Sequence, residues 1–275
     1  MNSEKCSIRA DFLTHSERKL FYLLLEPTQG AAHSAILFLH PFADEMHKSR
    51  HIVSSQARAL AAAGHTVMLL DLPGCGDSGG EFVDANWQVW REGASFALNF
   101  LADKAGVPVV LWGLRLGGLL ACDLSQSNSA VDRLLLWQPV LNGEQQIDQF
   151  LRLHSGAAFL GEGRSFDRKS LWRSLREGQS LEVAGYELSS SMALEMSRAR
   201  LNELRPGCPV SWIEIGNGPS SGPALASESV MSRWRAQGVG VAMTQVQGEP
   251  FWRSIDARVN LRLQQATVDI LAEHV

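Results

Sequence analysis

Between Val107 and Ala121 an apolar run, Val109-Val110-Leu111-Trp112, closes on Gly113, and Gly117-Gly118 opens a second run with helical apolar spacing. Leu114-Arg115-Leu116 must therefore pass through a sharp turn between a strand and a helix. Glycines on either side of such a turn relieve crowding and lift the central side chain clear of the backbone. That placement suits a serine or cysteine that attacks a carbonyl. Here the central side chain is Arg115, whose guanidinium stays protonated at any working pH and cannot act as a nucleophile. At a helix N-terminus, where free N–H groups and the helix dipole already favour negative charge, it can instead hold an anion.

Carboxylates that could meet Arg115 come from two places. Asp44 and Glu45, with His47 close behind, lie on the loop after an earlier apolar run, and Glu249 lies on the loop after the last strand-like run. Two readings stand. Arg115 grips a ligand's carboxylate or phosphate through a bidentate fork, or it pairs internally with Glu45 or Glu249 and seals the site. A buried arginine needs a carboxylate partner either way. A displaced nucleophile is a further candidate, with Cys75 next to Ser78 on a glycine-rich loop and His40 as its base. The plain alternative is that Cys75 packs and His40 holds a turn. Gln138, Asn142, Gln145, Trp137 and Trp252 could line the same site or serve as scaffold.

The elements that must carry these residues alternate. Ile8 to Leu13 and Lys19 to Leu25 read as an antiparallel hairpin at a sheet edge. Ser34 to Leu39, Thr66 to Leu72, the run from Val107 that closes on Gly113, Val131 to Trp137, Pro209 to Ile215 and Val239 to Val246 read as further strands, several of them continuously apolar as buried parallel strands are. Helical spacing covers Ser49 to Ala63, Asp84 to Ala105, Gly117 to about Ser127, Ala224 to Gln237 and Ser254 to His274. The alternation predicts an α/β fold with a mostly parallel central sheet flanked by helices. From Asn142 to about Arg205 it gives way to helix-like and loop-like sequence. The strand-to-helix turn at Arg115 and the run Asp71-Leu72-Pro73-Gly74-Cys75-Gly76-Asp77-Ser78-Gly79-Gly80 resemble those of α/β-hydrolases. On that resemblance residues 1–141 and 206–275 form the hydrolase core and 142–205 a helical cap insertion. The basic run Arg164, Arg168, Lys169, Arg173 and Arg176 inside it is interleaved with acids, as on a solvated helix face.

Acyl transfer on this fold needs a nucleophile at the elbow, an acid after the strand that follows the cap, and a histidine after the last strand. The acid loop reads Gly216-Asn217-Gly218-Pro219-Ser220-Ser221, and Glu214 lies within the strand before it. The histidine loop reads Gln247-Gly248-Glu249-Pro250-Phe251-Trp252. Beyond residue 65 the chain's only histidines are His154 and His274. All three members are missing from their places, so the ordinary serine hydrolase mechanism is rejected.

Composition narrows the remaining classes. Of 275 residues 45% are apolar and 20% charged, as in a globule with a sizeable core. A net charge of −4 speaks against nucleic acid as the main partner. No apolar run reaches the roughly 18 to 20 residues of a membrane span, and the N-terminal residues lack a signal-peptide core, so the expected compartment is the cytoplasm. Four scattered cysteines indicate neither a zinc site nor a disulfide framework. The glycine-rich loop has neither the Walker lysine nor dinucleotide spacing, and no cofactor or metal is expected.

Longer blocks carry a narrower resemblance. They are His40-Pro41-Phe42-Ala43-Asp44-Glu45-Met46-His47-Lys48-Ser49-Arg50, Leu70 to Ser78, Trp112-Gly113-Leu114-Arg115-Leu116-Gly117, Leu136 to Glu144, Gln149 to Leu153, Glu182 to Leu188, and Gly248 to Trp252. Spread over nearly the whole chain, they resemble the exosortase A system-associated hydrolase type 2 proteins, a branch of the α/β-hydrolase superfamily with arginine at the elbow. The resemblance implies a bacterial protein that accompanies an exosortase, which sorts proteins with PEP-CTERM tails, alongside exopolysaccharide production. It implies no established substrate, and a hydrolase fold is not itself a warrant for hydrolysis. The reading is thus a protein without a Ser-His-Asp triad that binds an anionic small molecule or a partner protein of that system. The alternative is a hydrolase or acyl transferase, of ester or thioester type, with an unorthodox constellation.

Overall fold

The computed structural model describes residues 6–158, 167–216 and 222–273, with the side chains of 154–158 left out. Eight strands form one sheet in the order β1-β2-β4-β3-β5-β6-β9-β10. They are β1 (Cys6–His15), β2 (Arg18–Pro27), β3 (Ala35–Leu39), β4 (Thr66–Leu70), β5 (Val109–Leu114), β6 (Val131–Trp137), β9 (Val210–Gly216) and β10 (Val241–Gln247). β1 and β2 run antiparallel as an edge hairpin, and β4 onward pair in parallel. The fold class expected from the alternation, a mostly parallel sheet flanked by helices, is the one found.

Side-chain alternation along the central strands divides the core in two. Ile36 and Phe38, Val110 and Trp112, and Leu135 and Trp137 face one side, where α1 (Asp44–Ala62) packs with Ile52, Val53, Ala57 and Leu60, and α8 (Leu261–Ala272) with Leu263 and Leu271. Leu37 and Leu39, Val109 and Leu111, and Leu134 and Leu136 face the other. There they meet α2 (Trp87–Ala105), α3 (Leu116–Ser125) and α7 (Leu225–Ala236). Between β6 and β9 the chain makes α4 (Gly143–Ala158), α5 (Arg168–Arg176), a small hairpin β7 (Leu181–Val183) and β8 (Tyr186–Leu188), and α6 (Ser190–Met196). Ile147, Leu151, Trp172, Leu175, Val183, Leu188 and Met192 from this stretch are buried in the second core.

Two helix starts and one small hairpin differ from the sequence reading. α1 begins at Asp44 rather than Ser49, since Asp44 and Glu45 sit where the helix dipole favours carboxylates and Met46 already turns inward. Asp44, Glu45 and His47 are therefore helical residues rather than loop residues. α8 begins at Leu261 rather than Ser254, where the Asn260 side chain accepts from the N–H groups of Arg262 and Leu263. The β7–β8 hairpin was not anticipated. Its strands are three residues each, and its turn, Ala184-Gly185, has positive φ at both positions.

Candidate functional site

β5 delivers the chain to Arg115 at the mouth of the sheet. Arg115 has φ 54° and ψ −117°, a strained state for a residue with a side chain. Its surroundings fix it there: its N–H donates to the Trp137 carbonyl (3.0 Å), and its carbonyl accepts from Gly118 (3.0 Å) and Val140 (3.1 Å). The glycine at 117 is sterically obligatory, because a Cβ there would stand 2.0 Å from the Leu39 carbonyl oxygen of β3. The elbow is thus wedged between β3 and β6, with its side chain projecting past the sheet edge.

The guanidinium meets an internal carboxylate. Arg115 Nε and Nη2 each lie 3.4 Å from Glu45 Oε1, and Nη2 lies 3.2 Å from Gln146 Oε1 on α4. The plane of the Trp252 ring covers it, with the guanidinium carbon 5.2 Å from a ring centroid. Both side chains are largely buried, Arg115 at 12% exposure and Glu45 at 20%. Glu45 Oε2 is buried without a hydrogen-bond partner. Burial raises the Glu45 pKa above its ordinary 4.5, and the nearby Arg115 charge opposes the rise without cancelling it. Of the two internal partners considered, Glu45 is the one that pairs; Glu249 is exposed on the loop after β10.

Beside this pair lies a cavity of about 410 Å³, between the first turn of α1, α4 and the turn Phe251–Arg253. Phe42, Phe150, Leu153 and Trp252 supply apolar wall, while Lys48, Arg152 and Arg253 supply positive charge. Asp44 lies on the rim and is paired with Lys48. His47 is exposed and faces the Tyr186 ring, 6.4 Å between centroids. No serine, cysteine or histidine is found among the described residues lining the cavity.

Other expected site residues prove structural. Trp137 is wholly buried in the sheet, 4.7 Å from Trp112 and 6.1 Å from Phe251 between ring centroids, and is corrected from ligand contact to core. Gln138, at φ 43°, donates its N–H to the Ile213 carbonyl (2.8 Å), and its Oε1 accepts from the Ile215 N–H (2.7 Å). It clamps β6 to β9. Asn142 accepts from the Gln145 N–H (3.1 Å) at the start of α4. The Cys75–His40 dyad is also corrected: His40 Nδ1 donates to the Pro41 carbonyl (2.8 Å) and Nε2 accepts from the Leu72 N–H (3.2 Å). With both nitrogens committed, His40 has no lone pair for a thiol, and burial pushes the Cys75 pKa far above its ordinary 9.0. The loop Asn217–Ser221 lies outside the described residues, and Glu214 before it is buried, with Oε2 accepting from the Ala224 N–H (3.1 Å).

Gln146, Phe150 and Arg253 were missed in the sequence. Gln146 and Phe150 are four apart on one face of α4, so the phase of that helix would have found both. Arg253 directly follows the Phe251-Trp252 pair and had only its proximity to Glu249 to mark it.

No curated protein matches the chain. Among solved structures it is similar to Est1E from Butyrivibrio proteoclasticus with ferulic acid bound, at 16% identity and a TM-score of 0.70, over 96% of this chain and 98% of that one. It is also similar to alpha/beta hydrolase domain-containing protein 10 from mouse, at 17% identity and a TM-score of 0.61, over 97% and 100%. At such identities the likeness speaks for the fold alone. A family model described as serine aminopeptidase, S33 matches residues 30–171, just over half of the chain, a span holding β3 to β6, the elbow and the start of α5. With that match and this sheet, the chain belongs to the Hydrolase_4 (serine aminopeptidase, S33) family and has the α/β-hydrolase fold.

Proposed function

We propose that this α/β-hydrolase-fold protein is not a serine hydrolase but binds an anionic small molecule in the cavity beside Arg115, in the service of the exosortase A and exopolysaccharide system. The observation that carries the reading is a guanidinium at the nucleophile's position, tied to Glu45 and Gln146. The cavity beside it, about 410 Å³ with Arg152, Arg253 and Lys48 on its walls, is of a size and charge suited to a small anion with an apolar body. The system assignment rests on the sequence blocks from His40 to Arg50, Leu70 to Ser78 and Leu136 to Glu144 and their resemblance to its hydrolase-type proteins. In this reading residues 142–205 act as a cap whose helix α4 forms one wall of the cavity, and the protein works in the cytoplasm.

The test is an assay with short-chain p-nitrophenyl esters and thioesters together with labelling by a fluorophosphonate probe. Turnover equal to that of Arg115→Met, with no covalent adduct, is the expected result. Turnover that disappears when one serine or cysteine is replaced would establish hydrolysis by another constellation. Native mass spectrometry of protein taken from its own cell is expected to retain an acidic metabolite.

A further inference from the structure

The Arg115–Glu45 contact is a poor match for two groups that can form a fork. A guanidinium and a carboxylate in good register make two parallel bonds of about 2.7–2.9 Å to two different oxygens. Here Nε and Nη2 converge on one oxygen, both at 3.4 Å, the outer edge of hydrogen bonding. The second oxygen, Oε2, is buried with no partner at all. Among the described residues the other side-chain bond of Arg115 goes to Gln146, at 3.2 Å, so part of its five-donor capacity is unused.

We propose that Glu45 stands in for a ligand's carboxylate: a monocarboxylate with an alkyl or aryl body displaces it from Arg115, forks onto the guanidinium beside Gln146, and lays its apolar part against Phe42, Phe150 and Trp252. This deepens the binding reading above and rests on it. The charges around Glu45 leave room for a second anion. On its own helix Asp44 is neutralised by Lys48. From α4 come Gln146 and Arg152, from the elbow Arg115, and from the turn after β10 Arg253. Counting Arg115, four cations surround two carboxylates, a surplus that accepts one more anion. Glu45 keeps enough exposure, 20%, to turn away from the arginine. Once separated from that charge its carboxyl loses the strongest influence opposing burial, with only Gln146 and the more distant Arg253 still favouring the ionised form, so its proton affinity rises and binding is linked to proton uptake.

Calorimetry with sodium octanoate as the probe tests this on the intact chain. In wild type, titration in buffers of different ionisation enthalpy is expected to show net proton uptake on octanoate binding, with affinity rising as pH falls. Glu45→Gln, with no competing charge, is expected to bind octanoate about tenfold tighter and without proton uptake. Octanol, lacking the carboxylate, is expected to bind both proteins alike. Octanoate bound equally by both proteins with no proton linkage, or bound by neither, overturns the proposal. The first of these results leaves the anion-binding reading standing, whereas ester turnover lost on replacing a serine or cysteine removes that reading whatever octanoate does. The wild-type proton count needs no variant to fold.

Discussion

Arg115 occupies a backbone state that a residue with a side chain adopts at a cost of about 1–3 kcal/mol, and its tethers at Trp137, Gly118 and Val140 hold it there. The strain has no nucleophile to present, which leaves the charge pair as what the elbow now displays. Arg115→Ser should therefore yield no esterase activity, since the serine would find neither base nor acid. Arg115→Met should lower stability by about 2 kcal/mol, because a mostly buried carboxylate loses its cation. The sign with pH follows from the direction of the Glu45 shift. A carboxyl whose folded pKa lies above its unfolded one holds a proton that the unfolded chain has released, so the folded state loses stability as pH rises through the folded value. Removing Arg115 raises that pKa further, so the loss should be larger at pH 8 than at pH 6 in urea unfolding, and Glu45→Gln added to it should restore part. An equal loss at both values would mean that the pair carries little of the electrostatics assigned to it. Gly117→Ala is expected to cost more, on the order of 3 kcal/mol or above, since the new methyl would press on the backbone of β3 rather than on a side chain that can move.

The hairpin of β1 and β2 turns through Ser16 and Glu17, with φ of 48° and 68°, and His15 opposite Arg18 leaves a two-residue loop. Positive φ at both central positions is the type that Asn-Gly fits best. Ser16→Asn with Glu17→Gly is thus expected to raise stability by about 1 kcal/mol, read as a higher urea midpoint with an unchanged slope. A lower midpoint would mean that side-chain contacts of Glu17 outweigh the backbone gain. The same hairpin shows why so much of the sheet was readable. Its apolar runs are long, and the buried strands β3, β5 and β6 are apolar on both faces, a pattern that needs no tertiary knowledge. The start of α1 was misplaced by five residues because Asp44 and Glu45 look like loop residues until the helix dipole gives them a place. β7 and β8 were invisible at three residues each. In the site, the elbow and its arginine were plain from spacing alone. Which carboxylate pairs with it was not, because Glu45 and Glu249 are far apart in sequence from Arg115 and only the packing of α1 decides between them. Trp137 misled for a related reason. A tryptophan at a strand end can face the cleft or the sheet's far side, and the period of β6 turns this one into the core.

At the scale of the molecule, buried neutral histidines stand at opposite ends of the central strands. His40 closes the C-terminal end of β3 beneath the site, and His65 leads into β4 at the other end, its Nδ1 2.9 Å from the Ser34 hydroxyl. Burial lowers both pKa values, that of His65 to about 4, with His33 adding to the effect. The unfolded chain binds protons at these rings from about pH 6.5 downward while the folded chain does not, so stability drops as pH falls from 6.5 towards 4. For His65 the whole window amounts to on the order of 3 kcal/mol. Glu45 works the other way over its own range, since proton uptake there favours the folded state, and the net slope is the difference. Urea midpoints at pH 7, 5.5 and 4.5 should therefore fall in wild type. They should fall less steeply in His65→Gln, where one of the two opposed histidines no longer titrates, and more steeply in Glu45→Gln, where the compensating carboxyl is gone. If the His65 variant keeps the wild-type slope, acid sensitivity comes from other groups, and the two ends of the sheet are not the protein's acid-labile points.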